Sequence, residues 1–385
     1  DPLFDQRSGY FFEINPAGAM GDAQLVSSQT GTSQNRAWDG IWLARVTRHA
    51  GGWTAEIQIP FQTLNFDPNA QAWGANFQRT VRRKNEESFW TGYGRNQGLF
   101  NLSSAGRIEG IANVSQGRGL DVTPYAIGTY QRRGSGPDQP TNYTGDAGLD
   151  LGYSVTPRLK LNATFNTDFA QTEVDDRQVN LTRFALFFPE KRDFFLEGTG
   201  SFDFGRERAQ ILTPFFTRRI GLTADGQPQK IDYGLKLTGQ LAGMDIGVMQ
   251  VRTAEDAGAK GEDFTAIRPK KTFWSQSYVG MFYTRRATRD SSVPDRQGIG
   301  ADFQLATTTF RGDQNLLFTS YYLKTPNKAR PNDNTAWSAK VDYPNDRWNG
   351  MLGYRVFEEN FEPAMGFAER TNYKKWFSNS QFRPR

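Results

Sequence analysis

The residues with most chemical potential in this chain crowd into one stretch, Thr164–Gly200. Glu173, Asp175 and Asp176 stand close together, and Arg183, Glu190, Lys191, Arg192, Asp193 and Glu197 follow. Neighbouring carboxylates could serve glycoside hydrolysis, which needs two such groups about 5–10 Å apart. They could also hold calcium, because hard oxygen donors are dense there, although no EF-hand spacing is present. At a constriction the same charges would select the solutes that pass. The plainer roles are helix capping and a salt-bridge network that pins the segment. Three acids in one loop more often cap a helix than catalyse. No catalytic residue and no metal ligand is therefore assigned, and all nine residues are candidates for lining a pore or forming a plug.

Composition removes other chemistries. Cysteine is absent, which excludes disulfides, thiolate metal sites and cysteine nucleophiles. His49 is the only histidine, so a multi-histidine metal site is excluded and a Ser-His-Asp triad has little to build on. Beside Gly51-Gly52 it reads as an exposed turn residue. A net charge of +5 with acids and bases interspersed argues against a nucleic-acid partner. Nothing implies a cofactor. No run of roughly 18 apolar residues exists, so no transmembrane helix is expected. Yet a mean hydropathy of -0.66 accompanies 14% aromatic residues and 39 glycines. Membrane β-barrels show that pairing. The chain opens at Asp1-Pro2-Leu3-Phe4 without a signal segment, as a mature form or a fragment would.

The elements that must position the charged stretch are strands. Leu159, Leu161, Ala163 and Phe165 oppose Lys160, Asn162, Thr164 and Asn166, and the pattern recurs through Ile299–Leu305, Trp337–Tyr343 and Trp348–Val356. Strands are placed near 121–131, 143–154, 157–167, 194–204, 211–220, 228–240, 244–253, 263–271, 275–286, 298–310, 314–324, 334–343, 347–357 and 373–383. Pro269 interrupts the one at 263–271. Runs of about ten residues suit a tilted crossing of a bilayer. Every second connection is tight, as at Leu241–Gly243 and Arg311–Asp313, and the others are longer. That is the pattern of an outer-membrane barrel. The charged stretch breaks the rhythm: Leu181, Phe184, Ala185 and Phe188 have helical spacing, Asp175 or Asp176 can cap, and Pro189 stops the helix. Residues 169–193 thus form an inserted loop on the long-connection side. Arg132-Arg133, Arg218-Arg219 and Arg285-Arg286 are expected at strand ends, facing lipid headgroups. A terminal aromatic is lacking at Gln381–Arg385, so the barrel is expected to be incomplete at its C-terminus.

Residues 1–113 read differently. Short strands at Gly9–Asn15, Ile41–Arg48, Trp53–Ile59, Trp73–Val81 and Ser88–Tyr93 indicate a β-sandwich. Trp53 and Trp73 lie on the apolar side of an alternation and belong to a core. Trp38, Trp42 and Trp90 lie nearer polar or turn residues, where a ring could stack on a sugar or simply pack.

Two sets of residues carry resemblances. Trp38-Asp39-Gly40-Ile41-Trp42, Gly52–Ile57 with Ile59-Pro60-Phe61, and Trp73–Phe77 with Arg82–Glu86 resemble the second half of a family 9-like carbohydrate-binding module. That resemblance implies a partial sugar-binding sandwich. Asn166–Asp175 with Phe187–Gly198 closely resembles the hallmark of bacterial outer-membrane barrels classed as domain of unknown function 5916. It implies a fold and a compartment rather than a reaction.

The expectation is an all-β chain. A partial β-sandwich (1–113), periplasmic, would precede an antiparallel transmembrane barrel (119–385) in the outer membrane of a Gram-negative bacterium. Its partners would be outer-membrane lipid and an oligosaccharide or other small solute, with the oligomeric state left open. Function would be passive transport or capture of solutes or glycans. The rival readings are a carbohydrate-active enzyme, suggested by the module and the acids, and a structural or adhesion barrel with a blocked lumen.

Overall fold

A computed structural model describes the chain outside residues 5, 7, 29–30, 37, 93–97, 112–113, 116–118, 133–140, 168–189, 191, 206–210, 224–228, 256–259, 275, 291, 329 and 385. The chain is all-β, with helix among the described residues confined to single turns. It forms two compact units, Asp1–Leu120 with Ser154–Lys160, and Asp121–Tyr153 with Leu161–Arg385.

The first unit holds β1 (Ser8–Ile14), β2 (Met20–Ser28), β3 (Gly31–Asn35), β4 (Leu43–His49), β5 (Gly52–Gln58), β6 (Ala72–Ala75), β7 (Gln78–Val81), β8 (Glu86–Phe89) and β9 (Gly106–Glu109). Strands β1–β3 make one antiparallel sheet, while β4–β5, β6–β9 and β7–β8 are two-stranded ladders. The strand expected at Trp73–Val81 is therefore two strands with different partners. Its core is aromatic: Phe66 and Trp73 pack with Leu64, and Tyr10 and Phe12 lean on them. Trp53 departs from expectation, being half-buried under the Arg79 guanidinium at 5.7 Å. Ile57 on the same strand is exposed, because β4 and β5 pair only with each other among the described residues.

The second unit is built on one antiparallel sheet of twelve strands. In order these are β10 (Leu120–Arg132), β11 (Thr141–Thr156), β12 (Leu159–Thr167), β14 (Ile231–Leu241), β15 (Met244–Thr253), β16 (Glu262–Phe273), β17 (Ser277–Thr288), β18 (Arg296–Phe310), β19 (Gln314–Lys324), β20 (Thr335–Pro344), β21 (Trp348–Phe357) and β23 (Tyr373–Phe382). The short β13 (Leu212–Thr213) and β22 (Phe367–Ala368) pair with each other outside it. The edges, β10 and β23, are not joined, so the sheet is not closed. Tight connections at 242–243, 311–313 and 345–347 alternate with longer ones at 254–261, 289–295, 325–334 and 358–372.

Two-residue alternation sorts side chains between two faces. On one, Leu235, Ile267, Val279, Met281, Ile299, Phe303, Val341 and Leu352 are exposed. On the other, Lys236, Thr238, Arg268, Thr284, Asp302, Gln304, Thr319 and Ser338 are buried. This inverts the usual partition of a soluble protein, in which charged groups are the ones left in water. The apolar face is bare, and the polar face is covered.

The covering layer is where the sequence reading fails. The strands expected at 194–204 and 211–220 are instead α1 (Asp193–Leu196), a 3-10 turn at Thr199–Phe202, β13 and a 3-10 turn at Thr217–Arg219. Phe194 and Phe195 are adjacent and both buried, which alternation forbids. With Phe202 and Ile220 they pack on Ile231, Met249, Val251, Phe264 and Ala266 of the sheet. Phe204 and Leu212 pack on Phe282, Tyr321, Leu323 and Ala336. Burying each such ring contributes about 1.5–3 kcal/mol.

Glycines on the sheet make room. A Cβ at Gly234 would stand 2.8 Å from the Phe194 ring, one at Gly247 3.0 Å from Phe202, and one at Gly300 3.0 Å from Phe204. The described residues between β12 and β14 thus lie off the sheet and over its polar face.

Candidate functional site

The buried cations of the sheet hold this inserted segment by its backbone. Lys236, 1% exposed, donates from Nζ to the Glu197 carbonyl at 2.6 Å and to the Phe194 carbonyl, with its ammonium 4.9 Å from the Phe194 ring centre. Arg268, fully buried, binds Asp302 through Nη1 at 2.7 Å and Nη2 at 2.9 Å. Its Nε donates to the Asp203 carbonyl at 2.9 Å. Asp302 in turn accepts from the Gly205 amide at 2.9 Å and the Tyr278 hydroxyl at 3.1 Å. One sheet pair therefore grips both ends of Asp203–Gly205. A buried charge is tolerated when it is paired and hydrogen-bonded; here Asp302 Oδ2 takes the three hydrogen bonds, while Oδ1 has the Arg268 ion pair alone.

Pro269 explains how Arg268 is aimed. The strand runs through the proline in unbroken register, with Ile267 opposite Tyr283 and Lys270 opposite Gly280. That register sets Pro269 against Met281, and proline has no amide hydrogen to offer the ladder. The Met281 carbonyl accepts instead from Arg268 Nη1 at 3.1 Å.

The charged residues singled out in the sequence lie partly within this arrangement. Glu173, Asp175, Asp176, Arg183 and Lys191 fall outside the described residues, as does the helix expected before Pro189. Glu190 and Arg192 are brought together at 2.7 Å, and both side chains are almost wholly buried. Arg192 also donates to the carbonyls of Thr217 at 2.7 Å and Ile220 at 2.8 Å, and its guanidinium lies 4.1 Å from the Phe195 ring centre. Burial pushes the Glu190 carboxyl up, but bonds and charge from Arg192, with a bond from Thr217, outweigh it and hold the group below its ordinary value. Asp193 is exposed and opens α1, its carbonyl accepting from the Glu197 amide at 3.1 Å. The Glu197 carboxylate accepts from Asn162 of β12 at 2.6 Å. Glu190, Arg192 and Glu197 thus bind parts of the fold to one another. Among the described residues no group of three or more His, Asp or Glu side chains could hold a metal ion.

The arginine pairs expected to face headgroups divide. Arg285 alternates with Arg286 and pairs with Asp295 at 2.5 Å near the bare face. Arg286 is on the covered face. Arg218 and Arg219 are not at a strand end at all but in the 3-10 turn of the inserted segment. Side chains of Arg132 and Arg133 lie outside what is described.

In the first unit Trp42 is 7% exposed, and its indole N–H donates to Asp22 at 2.8 Å. Trp38 is half-buried against Tyr10, with centroids 4.9 Å apart, and Phe12 at 5.9 Å. Both rings pack against aromatic neighbours. Trp90 differs: it is 54% exposed and meets exposed Phe77 edge-on at 5.7 Å.

Lys236, Arg268 and Asp302 were not singled out by sequence reasoning. A signal existed: a proline inside a strand-length run, directly after an arginine.

Residues 118–240 match the family described as domain of unknown function (DUF5916). The match spans β10–β12, the inserted segment and β14, and it supports assignment to that family. No curated protein matches the chain.

Proposed function

We propose that the second unit is the wall of an outer-membrane β-barrel that passes or captures small solutes, glycans among them, beside a fixed inserted segment. One observation carries this reading: strands of nine to sixteen residues put apolar side chains on a bare face and charged ones on a covered face. Water disfavours that distribution and hydrocarbon favours it.

The aromatic residues of the bare face support it. Trp348 packs on Phe382 at 4.6 Å near the tight-turn rim, and Tyr354 packs on Trp376 at 4.6 Å and Trp337 at 5.5 Å near the other. Six residues of β21 separate the two levels, roughly 20 Å at about 3.4 Å per residue. Aromatic girdles flank an apolar band of comparable height in such barrels. No helix of the described residues is long and apolar enough to cross a membrane.

The inserted segment is held by backbone bonds from Lys236, Arg268 and Asp302, so solutes would pass beside it rather than displace it. Covalent chemistry plays no part in this mechanism. Reconstitution tests the reading. The purified chain is expected to float with phospholipid vesicles, to resist alkaline carbonate extraction, and to give discrete conductance steps in planar bilayers. A chain that is monomeric without detergent and stays with the soluble fraction overturns the membrane assignment. Vesicle insertion without conductance would keep the barrel and remove transport.

A further inference from the structure

The long-connection rim carries arginines that do not grip the inserted segment. Arg286 of β17 and Arg296 of β18 stand directly opposite one another in the ladder, on the face that also bears Asp302. Like charges so placed repel. Each is met by a carboxylate: Glu262 takes Arg286 through two bonds of 2.8 Å, and Glu362 takes Arg296 at 2.7 Å.

A third guanidinium comes from the inserted segment. The turn bearing Arg219 is tied by the Phe216 amide to the Met365 carbonyl at 2.8 Å, three residues from Glu362. Among the described residues the Arg219 side chain makes no hydrogen bond or ion pair, and it meets solvent. Burial by surrounding protein nevertheless lowers its pKa most, the charge of Arg286 lowers it further and that of Arg296 adds to this, with Glu362 opposing. A guanidinium remains charged under such pressure. Three cations and two carboxylates leave one positive charge where Arg219 reaches solvent.

We propose that Arg219, with Arg286 and Arg296 beside it, binds the phosphoryl group of a soluble phosphate-bearing solute. Guanidinium forks match oxyanions, and donors from three separate elements suit several oxygens on one centre better than a planar carboxylate that one fork saturates. Lipid phosphate is the other source of this chemistry. It is disfavoured because Arg286 and Arg296 lie on the covered face and Arg219 in the segment that covers it, whereas lipid would meet the bare one. The inference goes beyond the transport reading and does not require it.

Calorimetric titration of the whole chain in detergent with inorganic phosphate, at fixed ionic strength, tests the site. Saturable binding is expected, weakened about tenfold or more in Arg219→Gln and only partly restored in Arg219→Lys, which keeps the charge without the fork. The unfolding midpoint of Arg219→Gln should match the parent, since the Arg219 side chain is exposed and makes no bond. Parallel sedimentation with phosphatidylglycerol vesicles separates the sources. Equal phosphate affinity in parent and Arg219→Gln, or no saturable binding, overturns the proposal. So does loss of vesicle binding in Arg219→Gln with phosphate binding untouched. Because no bilayer enters the titration, its failure leaves the membrane assignment to the flotation experiment.

Discussion

Two arginine–carboxylate pairs on the same face of the sheet have the same closest approach and opposite surroundings. Arg268 and Asp302 meet at 2.7 Å with 1% and 0% of their side chains exposed. Arg296 and Glu362 also meet at 2.7 Å, with 50% and 51% exposed. Water decides what each is for. In the first, the ions have lost their hydration and depend on every bond around them, including those to Asp203 and Gly205. In the second, water competes with the partner and screens the attraction. Distance alone would have ranked them equal.

Separating the two starts with the buried pair. Asp302→Ala should destabilise the second unit by about 3–5 kcal/mol, because it strands a buried guanidinium. Urea unfolding measures this, and the double change Arg268→Met with Asp302→Leu should cost less than the single one. If the single and double changes cost the same, the pair is not coupled and the contrast fails.

Glu190 and Arg192 give the intermediate case. The folded protein holds the Glu190 carboxyl below its ordinary 4.5, so its contribution is present above that value and lost as pH falls through the lowered one. The parent should therefore lose stability on acidification below about pH 4.5 more steeply than Glu190→Gln. Unfolding midpoints at stepped pH would show it, and parallel curves would remove the effect. The smallest change is expected at the rim, where Arg296→Gln should alter stability by less than about 1 kcal/mol. A larger loss there would mean that the rim is drier than its exposure indicates.

The sheet was legible because its chemistry is written with a period of two. Twelve expected strands are present, and even Pro269 did not break its strand, since one missing amide is replaced by Arg268. The inserted segment was not legible beyond its location. Phe194, Phe195, Phe202 and Phe204 are apolar at irregular spacing, and rings at 202 and 204 imitate an alternating strand. What they bury against comes from β14 to β19, which no local pattern reveals. The same limit hid the roles of Lys236 and Asp302. Each looked like a polar residue facing water, and each in fact faces a carbonyl or an amide of the insert. Trp42 shows the same limit: its indole N–H donates to Asp22, twenty residues earlier, a partner that no local pattern announces.

The hollows at Gly234, Gly247 and Gly300 bind the histories of two stretches of chain together. A methyl group at Gly247 would crowd Phe202, and a smaller residue at 202 would leave an empty socket behind. Neither surface can drift alone. Relatives that keep the glycines should keep the rings, and any that have shed the insert should have refilled those sockets.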